Sequence, residues 1–251
     1  MEQELVYHPS EEAAGIDLGL LHVGTRSDGS TIENPRHLRA GEQKLKKLQE
    51  RLSHKKRRSK RRRNAAQLVG KKHRHVRNQR KDFHHKEARK LVNGYGVIVF
   101  EKLQSANMSN RPKPKQDEAT GVYFPNGASA KAGLNTSILD AGWGQFQQIV
   151  MNKAEWAGSR VLLVNPKSTS QMCSGCGAIQ KKALSERWHR CSCGGELDRD
   201  HNAAINIKQA GLFLLQKASQ ARTEPSEDAL LRSPRLSPWG VVTSVLVQVL
   251  R

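Results

Sequence analysis

A fifth of the chain, residues 42–92, holds 21 Lys and Arg against 4 Asp and Glu. This segment carries +17 of the formal net charge of +20, and it restricts what the remainder can build. Charged side chains are almost never fully buried unless paired, so part of this 251-residue chain is not expected to be core. Leu45, Leu48 and Leu52 nevertheless keep helical spacing, and Val76, Phe83 and Leu91 keep it more loosely. This predicts two helices docked on a core, with the wholly polar Lys55–Arg63 as the loop between them. The alternative is a solvated or disordered basic run. Either form calls for a polyanionic partner, because neutralising phosphates releases condensed counterions and gives affinity without sequence choice. Arg57, Arg58, Arg61, Arg62, Arg63, Lys71, Lys72, Arg74 and Arg77 are the candidate phosphate contacts, whereas His73 and His75 read as surface residues of a basic helix.

The rest of the chain excludes several classes. Hydrophobic residues make up 36% and aromatics 5%, and no run approaches the roughly 20 apolar residues that span a bilayer. The first fifteen residues lack the basic and apolar regions of a signal peptide. Neither a membrane location nor a small-molecule substrate is expected, and the protein is placed in the cytoplasm with nucleic acid, at the nucleoid. Short apolar runs around Asp28-Gly29 predict strands near Gly15–Leu20, His22–Arg26 and Ser30–Glu33. Gly96–Phe100 is apolar throughout, as in a buried parallel strand. Residues 104–138, rich in Asn, Pro, Gly and Lys, read as a mobile loop. A helix over Trp143–Trp156, a strand over Arg160–Val164 and a helix from about Asp200 to Leu215 complete an α/β pattern. The Ser/Pro-rich tail from Ala221 receives no role.

Cys173 and Cys176, then Cys191 and Cys193, form two close pairs separated by 14 residues. Without a secretion signal, such pairs point to a metal site rather than to disulfides. Four thiolates in this arrangement suit one tetrahedral zinc, and with no open position left the ion would be structural. The second pair has one intervening residue where two are usual. His189, beside it, is a weaker candidate ligand.

Three acids lie where a second metal site would need them. Asp17 interrupts the apolar first strand, where an unpaired carboxylate is costly to bury, and the adjacent Gly19 would let a ligand approach the backbone. Glu101 ends the apolar Val97–Phe100 run, the end of a parallel strand where α/β sites gather. Asp200 opens the last helix. Taken alone, these are an ordinary strand-end acid, a solvated strand terminus and a helix cap. Together they can hold two Mg²⁺ or Mn²⁺ ions about 3.5–4 Å apart, a pair that activates water and stabilises the leaving oxygen of a phosphodiester.

Gly15-Ile-Asp-Leu-Gly-Leu20, Val99-Phe-Glu-Lys-Leu103, Thr169-Ser-Gln-Met-Cys-Ser-Gly-Cys-Gly177 and Asp198-Arg-Asp-His-Asn-Ala-Ala-Ile-Asn-Ile207 resemble, in order, the motif series of the TnpB (OrfB) proteins. These are insertion-sequence-encoded nucleases related to the type V CRISPR effectors. The resemblance runs from about residue 14 to 212. It implies an RNase H-like (RuvC-like) mixed sheet with an inserted basic helical hairpin and a zinc ribbon, with Asp17, Glu101 and Asp200 as the nuclease acids. It favours Asp200 over Asp198 because the metal-binding acid directly precedes His201-Asn202-Ala203. The expected divisions are 13–41 and 93–167 for the two halves of the RuvC-like domain, 42–92 for the basic insertion, 168–197 for the zinc ribbon, 198–215 for the last RuvC-like helix and 216–251 for the tail. The implied activity is Mg²⁺-dependent cleavage of DNA chosen by a guide RNA and associated with transposition and recombination. Two departures stand out: only about a dozen residues precede the first strand, where family members carry a substantial domain, and the tail matches nothing. They make a truncated, non-cleaving nucleic-acid-binding remnant or repressor the alternative expectation, with a structure-specific junction-resolving nuclease as a third.

Overall fold

The computed structural model describes residues 10–223 except 119, 168, 184 and 185, together with the side chains up to residue 220. The chain divides after Phe213; the first unit holds the sheet and the candidate sites, and the described part of the second is the final turns of the last helix.

Five strands form one mixed sheet in the order β3-β2-β1-β4-β7. β1 (Ala13–Asp17), β2 (His22–Arg26) and β3 (Thr31–Glu33) form an antiparallel meander. β4 (Val97–Glu101) and β7 (Arg160–Val164) run parallel to β1. The first strand ends earlier than its apolar residues suggest. Ile16 pairs with Arg26 and Asp17 with Thr25, so residues 18–21 must make the turn, and Asp17 lies at the strand's end rather than inside it.

Alternation along β4 accounts for its unbroken apolar run. Ile98 and Phe100 point into a core shared with Ile16, Leu91, Phe146 and Val150, while Val99 points the other way, onto Val164 and Ile207. Both faces are covered, so neither tolerates a polar residue. The first face is packed by α2 (Lys60–Gly94) and α5 (Trp143–Ala157), and the second by α6 (Arg199–Thr223). α6 lies very close to the sheet. A β-carbon on Gly15 would stand 2.1 Å from the Ala204 carbonyl, and one on Gly211 would meet Val99 at 2.4 Å. Glycine at these two positions lets backbone and strand touch. The closest backbone approach of α6 to the sheet is at Gly15; Gly19 sits in the turn, with its carbonyl accepting from Trp143 Nε1 at 3.0 Å.

The basic segment forms two helices, α1 (His37–Ser53) and α2. Its connecting loop is shorter than the polar run suggests: Ser59 Oγ accepts the Arg62 N–H at 3.1 Å, a cap that starts α2 at Lys60. Residues 60–63 are therefore helical. At 35 residues, α2 is about 52 Å long, and its fully buried residues begin at Val76. Three contacts dock the hairpin on the elbow between α4 (Ala128–Ala141) and α5. Asp140 accepts the Leu38 N–H at 3.0 Å, Arg80 donates to the Leu139 carbonyl at 2.9 Å, and His84 Nε2 lies 3.1 Å from the Ala141 carbonyl. Burial pushes the His84 imidazole down to about 4, so it packs neutral against Phe146.

The stretch read as a loop is largely structured. It contains a short helix α3 (Ser105–Met108), a two-stranded ribbon of β5 (Lys115–Gln116) and β6 (Tyr123–Phe124), and most of α4. Helix α4 forms in spite of Gly133 and Asn135, because tertiary bonds hold it: Lys131 Nζ reaches the Met108 carbonyl at 2.6 Å and Asn135 Nδ2 the Ser109 carbonyl at 2.7 Å. A small hairpin, β8 (Trp188–Arg190) with β9 (Glu196–Asp198), precedes α6. No described helix is long and apolar enough to cross a membrane. The tail from residue 224 lies outside the described residues.

Candidate metal centres and basic surface

Side chains alternate along a strand, so Asp17 faces the same side as Gly15, and Glu101 the same side as Val99. That side is the one α6 covers. The parallel register pairs Ile16 with Phe100, and one step further it puts Asp17 beside Glu101, on strands about 4.8 Å apart. The N-terminus of α6 brings Asp200 to the same end. The three acids therefore share one electrostatic environment. Burial, then Glu101, then Asp200 push the Asp17 carboxyl from 3.8 up to about 8, with Arg199 opposing. Burial also raises Glu101, against a hydrogen bond from Thr169 that lowers it.

Asp200 is turned toward two cations, Arg199 Nε at 3.3 Å and Arg187 at 3.7 Å. Asp198 performs the capping role instead: its Oδ1 accepts the N–H groups of Asp200 at 2.9 Å and His201 at 3.2 Å. This relieves the Asp200 carboxylate of capping its own helix.

The four cysteines converge. Their sulfurs all lie within 4.8 Å of one another, with Cys173 to Cys193 at 3.7 Å and Cys176 to Cys191 at 3.5 Å. Among the described residues they form the one group of three or more potential ligands so closely gathered. The short second pair does not prevent this, because Cys191 N–H bonds the Gly195 carbonyl at 2.9 Å in a tight turn that returns Cys193 to the cluster. Backbone N–H groups of Cys176 and Gly175 hold the Cys173 thiol down at about 7, and that of Cys193 holds Cys191 at about 6. Cys176 accepts an N–H from Ala178, but Cys191, Cys193 and Cys173 push it up to about 12. Crowded thiols that divide in this way gain from a shared cation. His189 is buried next to Cys173, with Nδ1 2.6 Å from Lys182 Nζ.

The basic residues divide as well. Arg57, Arg58, Arg61, Arg63, Lys71, Arg74 and Arg77 are exposed, while Arg62 and Lys72 are half-buried. Arg62 donates to the Leu52 and Lys55 carbonyls at 3.1 and 3.3 Å, stapling the end of α1. His73 and His75 are exposed.

Sequence reasoning passed over Thr169, Asn202 and Asn206. Thr169 bonds Glu101, and the two asparagines, buried at 0% and 1% exposure, bind the chain between residues 169 and 174. A polar pair four residues apart on the Ala203, Ala204 and Ile207 stripe was the available signal.

A mixed α/β sheet with three acids at one end of its α6 face, their ligand atoms less closely gathered than the thiols, and a four-thiol cluster in the segment before α6 defines the class. The family model described as "Probable transposase" matches residues 1–111, and that described as "Cas12f1-like, TNB domain" matches residues 143–207. A protein of Escherichia coli (strain K12) named "Putative RNA-guided DNA endonuclease InsQ" is 34% identical over 88% of this chain and 56% of its own length. One from Streptomyces pristinaespiralis, named "Putative RNA-guided DNA endonuclease", is 33% identical over 80% of this chain and 45% of its own. The solved CRISPR-Cas12f ternary complex superposes with a TM-score of 0.51 at 19% identity, over 83% of this chain and 40% of that one, a likeness of fold. The chain belongs to the TnpB (OrfB) family. It spans about half the length of these two relatives.

Proposed function

We propose that this chain is a metal-dependent DNA endonuclease of the transposon-encoded, RNA-guided kind, working at the nucleoid on an RNase H-like sheet with a zinc ribbon beside it. The observation that carries this reading is the Asp17 carboxyl, pushed to about 8 by burial and by Glu101 and Asp200. Burial is the larger cause and the neighbouring carboxylates the smaller, and divalent cations held between the acids would offset both. Asp17, Glu101 and Asp200 would hold two Mg²⁺ or Mn²⁺ ions. Bound there, such ions supply Lewis-acid activation of water and stabilisation of the leaving oxygen. Arg187 and Arg199, now paired with Asp200, would be released toward phosphate. The basic hairpin would grip nucleic-acid backbone without reading bases, leaving the choice of sequence to base pairing with a guide RNA. Both relatives' names, quoted above, agree with this reading.

The test is to sequence RNA that copurifies with the protein and to supply DNA matched to it, with Mg²⁺. Enrichment of one RNA and cleavage of matched DNA are expected. Cleavage of branched DNA without RNA would point to a junction-resolving enzyme instead, and metal binding without any cleavage to a remnant that only holds nucleic acid.

Two further outcomes follow. Purified protein should contain about one zinc per chain, held by Cys173, Cys176, Cys191 and Cys193, and Cys176→Ser should lose both the ion and the fold of the 168–197 segment. Elemental analysis of freshly reduced protein that finds no zinc would remove the ribbon from this reading.

The second outcome concerns pH. Because the folded chain holds the Asp17 proton up to about 8 and the unfolded chain only to about 3.8, the folded state binds more protons between those values. Its stabilising contribution is full below about 4 and is lost as pH rises toward 8. Zinc-loaded, Mg²⁺-free protein should therefore lose melting temperature as pH rises from 6.5 to 8.5; His84, held down at about 4 in the fold against 6.5 in the unfolded chain, opposes this only at the lower end of the window. Asp17→Asn should flatten the loss, and Mn²⁺ should stabilise the wild type more at pH 8 than at pH 6.5. Parallel curves for the wild type and the variant would show that Asp17 bears no such strain.

A further inference from the structure

The thiol cluster and the carboxylate cluster are tied by a short run of buried hydrogen bonds. Asn202 Nδ2 donates to the Met172 carbonyl at 2.8 Å, and its Oδ1 accepts the Ser174 N–H at 2.9 Å. One turn further along α6, Asn206 Nδ2 donates to the carbonyls of Thr169 at 2.8 Å and Met172 at 2.7 Å. These two side chains fasten the backbone that leads into Cys173, and they project from the helix that begins with Asp200. Thr169, at the near end of the fastened stretch, donates its hydroxyl to Glu101 Oε1, and the Pro166 carbonyl lies 3.2 Å from that Thr169 hydroxyl oxygen. Thr169 and Glu101 are 8% and 7% exposed, so no bulk water replaces this bond. The Glu101 main chain is held separately, its carbonyl accepting from Gln147 Nε2 at 2.8 Å. The hydroxyl thus orients the carboxylate alone, on a backbone already fixed.

Nothing in the metal chemistry of either site requires this link. A structural metal knuckle elsewhere on the surface would fold equally well, yet here its first cysteine lies four residues from the hydroxyl that orients Glu101. Hydrogen bonds shielded from water rigidify what they join; the Asn206 amide makes two through Nδ2, while its buried Oδ1 has no partner among the described residues. A partner that orients a ligand typically sets metal affinity by about 10–100-fold.

We infer that Thr169 is a positioning residue for Glu101, and that the asparagine clamp of α6 makes closure of the thiol cluster a condition for the carboxylate cluster to bind metal well. This rests on the reading of the three acids as a metal centre. In the folded protein the knuckle is then an integral part of the carboxylate site rather than a neighbour of it.

The experiment is Mn²⁺ binding by the full chain, followed by calorimetry and by the electron-spin signal of free Mn²⁺, with zinc content and melting temperature measured alongside. Thr169→Val keeps the shape and removes the hydroxyl. It should weaken Mn²⁺ binding by about 10-fold or more while zinc content stays near that of the wild type; the melting temperature should fall, because the buried carboxylate loses its donor, with the chain still folding cooperatively. Thr169→Ser restores the hydroxyl and should return affinity to within about 3-fold of the wild type. Cys176→Ser, whose thiol touches no carboxylate, should also weaken Mn²⁺ binding. The double variant should be little weaker than the poorer single one, because both changes cut the same link. Wild-type affinity in Thr169→Val, with affinity lost in Glu101→Ala, would overturn the positioning role and leave the metal centre standing. Losses that multiply in the double variant would overturn the coupling. Unchanged Mn²⁺ binding in Glu101→Ala and Asp17→Ala would overturn the reading of the acids, and the inference with it.

Discussion

Replacing any one of Asp17, Glu101 or Asp200 with Ala is expected to reduce DNA cleavage on the order of 10⁴-fold or more, and replacing two is expected to cost little beyond that. Groups that hold one metal centre act as a unit, so the first loss dismantles it. The geometry behind this expectation is particular: Asp17 and Glu101 end neighbouring parallel strands on the α6 face, and Asp200 starts the helix that covers that face. Asp198→Ala is the internal control. Its carboxylate caps α6 through the Asp200 and His201 N–H groups, so its loss should cost about 1 kcal/mol of stability and leave most of the activity. Cleavage should require Mg²⁺ or Mn²⁺ and fail with Ca²⁺, whose looser coordination is poorly suited to in-line displacement. The readout is cleavage rate on guided DNA beside Mn²⁺ occupancy in each variant. Additive losses would mean that the three acids do not act as one centre, and activity that survives in Asp200→Ala with Asp198→Ala inactive would exchange the roles assigned to these two acids.

The second large effect is on binding. If the hairpin meets about six to ten phosphates, affinity for nucleic acid should fall by about 10³–10⁵ between about 50 and 200 mM salt. Arg57, Arg58, Arg61 and Arg63 are exposed, and their replacement by Gln should lower the log–log salt slope by roughly 0.9 for each lost contact to duplex DNA. Arg62 belongs to a different test. Because its guanidinium holds the Leu52 and Lys55 carbonyls, Arg62→Gln should loosen the loop between α1 and α2 and change the slope less than its neighbours do. A salt slope unmoved by the fourfold change would mean that these arginines are only solvated charges.

Much of this was legible in the residues alone. Alternation and apolar runs located β2, β4 and β7; for β4 the unbroken run follows because a strand covered on both faces leaves no room for polar side chains. The cysteine spacing marked its cluster without help, since ligands close in sequence need only a local turn to meet. Loop length was less legible: the polar run Lys55–Arg63 conceals a Ser59 cap, and Gly133 and Asn135 conceal a helix held by bonds to residues some 23–26 positions earlier.

By itself, the sequence determined which residue types were available: an acid in the first strand, another ending β4, a third at the mouth of α6, four thiols and a dense cationic hairpin. Only the tertiary structure decided how they combine. Parallel pairing of β1 with β4, although they are separated by the whole basic hairpin, set Asp17 beside Glu101, and no local pattern encodes that register. The approach of α6 through Gly15 and Gly211 brought Asp200 to the same face and buried Asn202 and Asn206 against the backbone of the cysteine segment. Local periodicity records whether a residue faces a core, because burial acts on each side chain separately. Which distant side chain stands across from it depends on the packing of whole elements, and that is where Thr169 acquired its bond to Glu101.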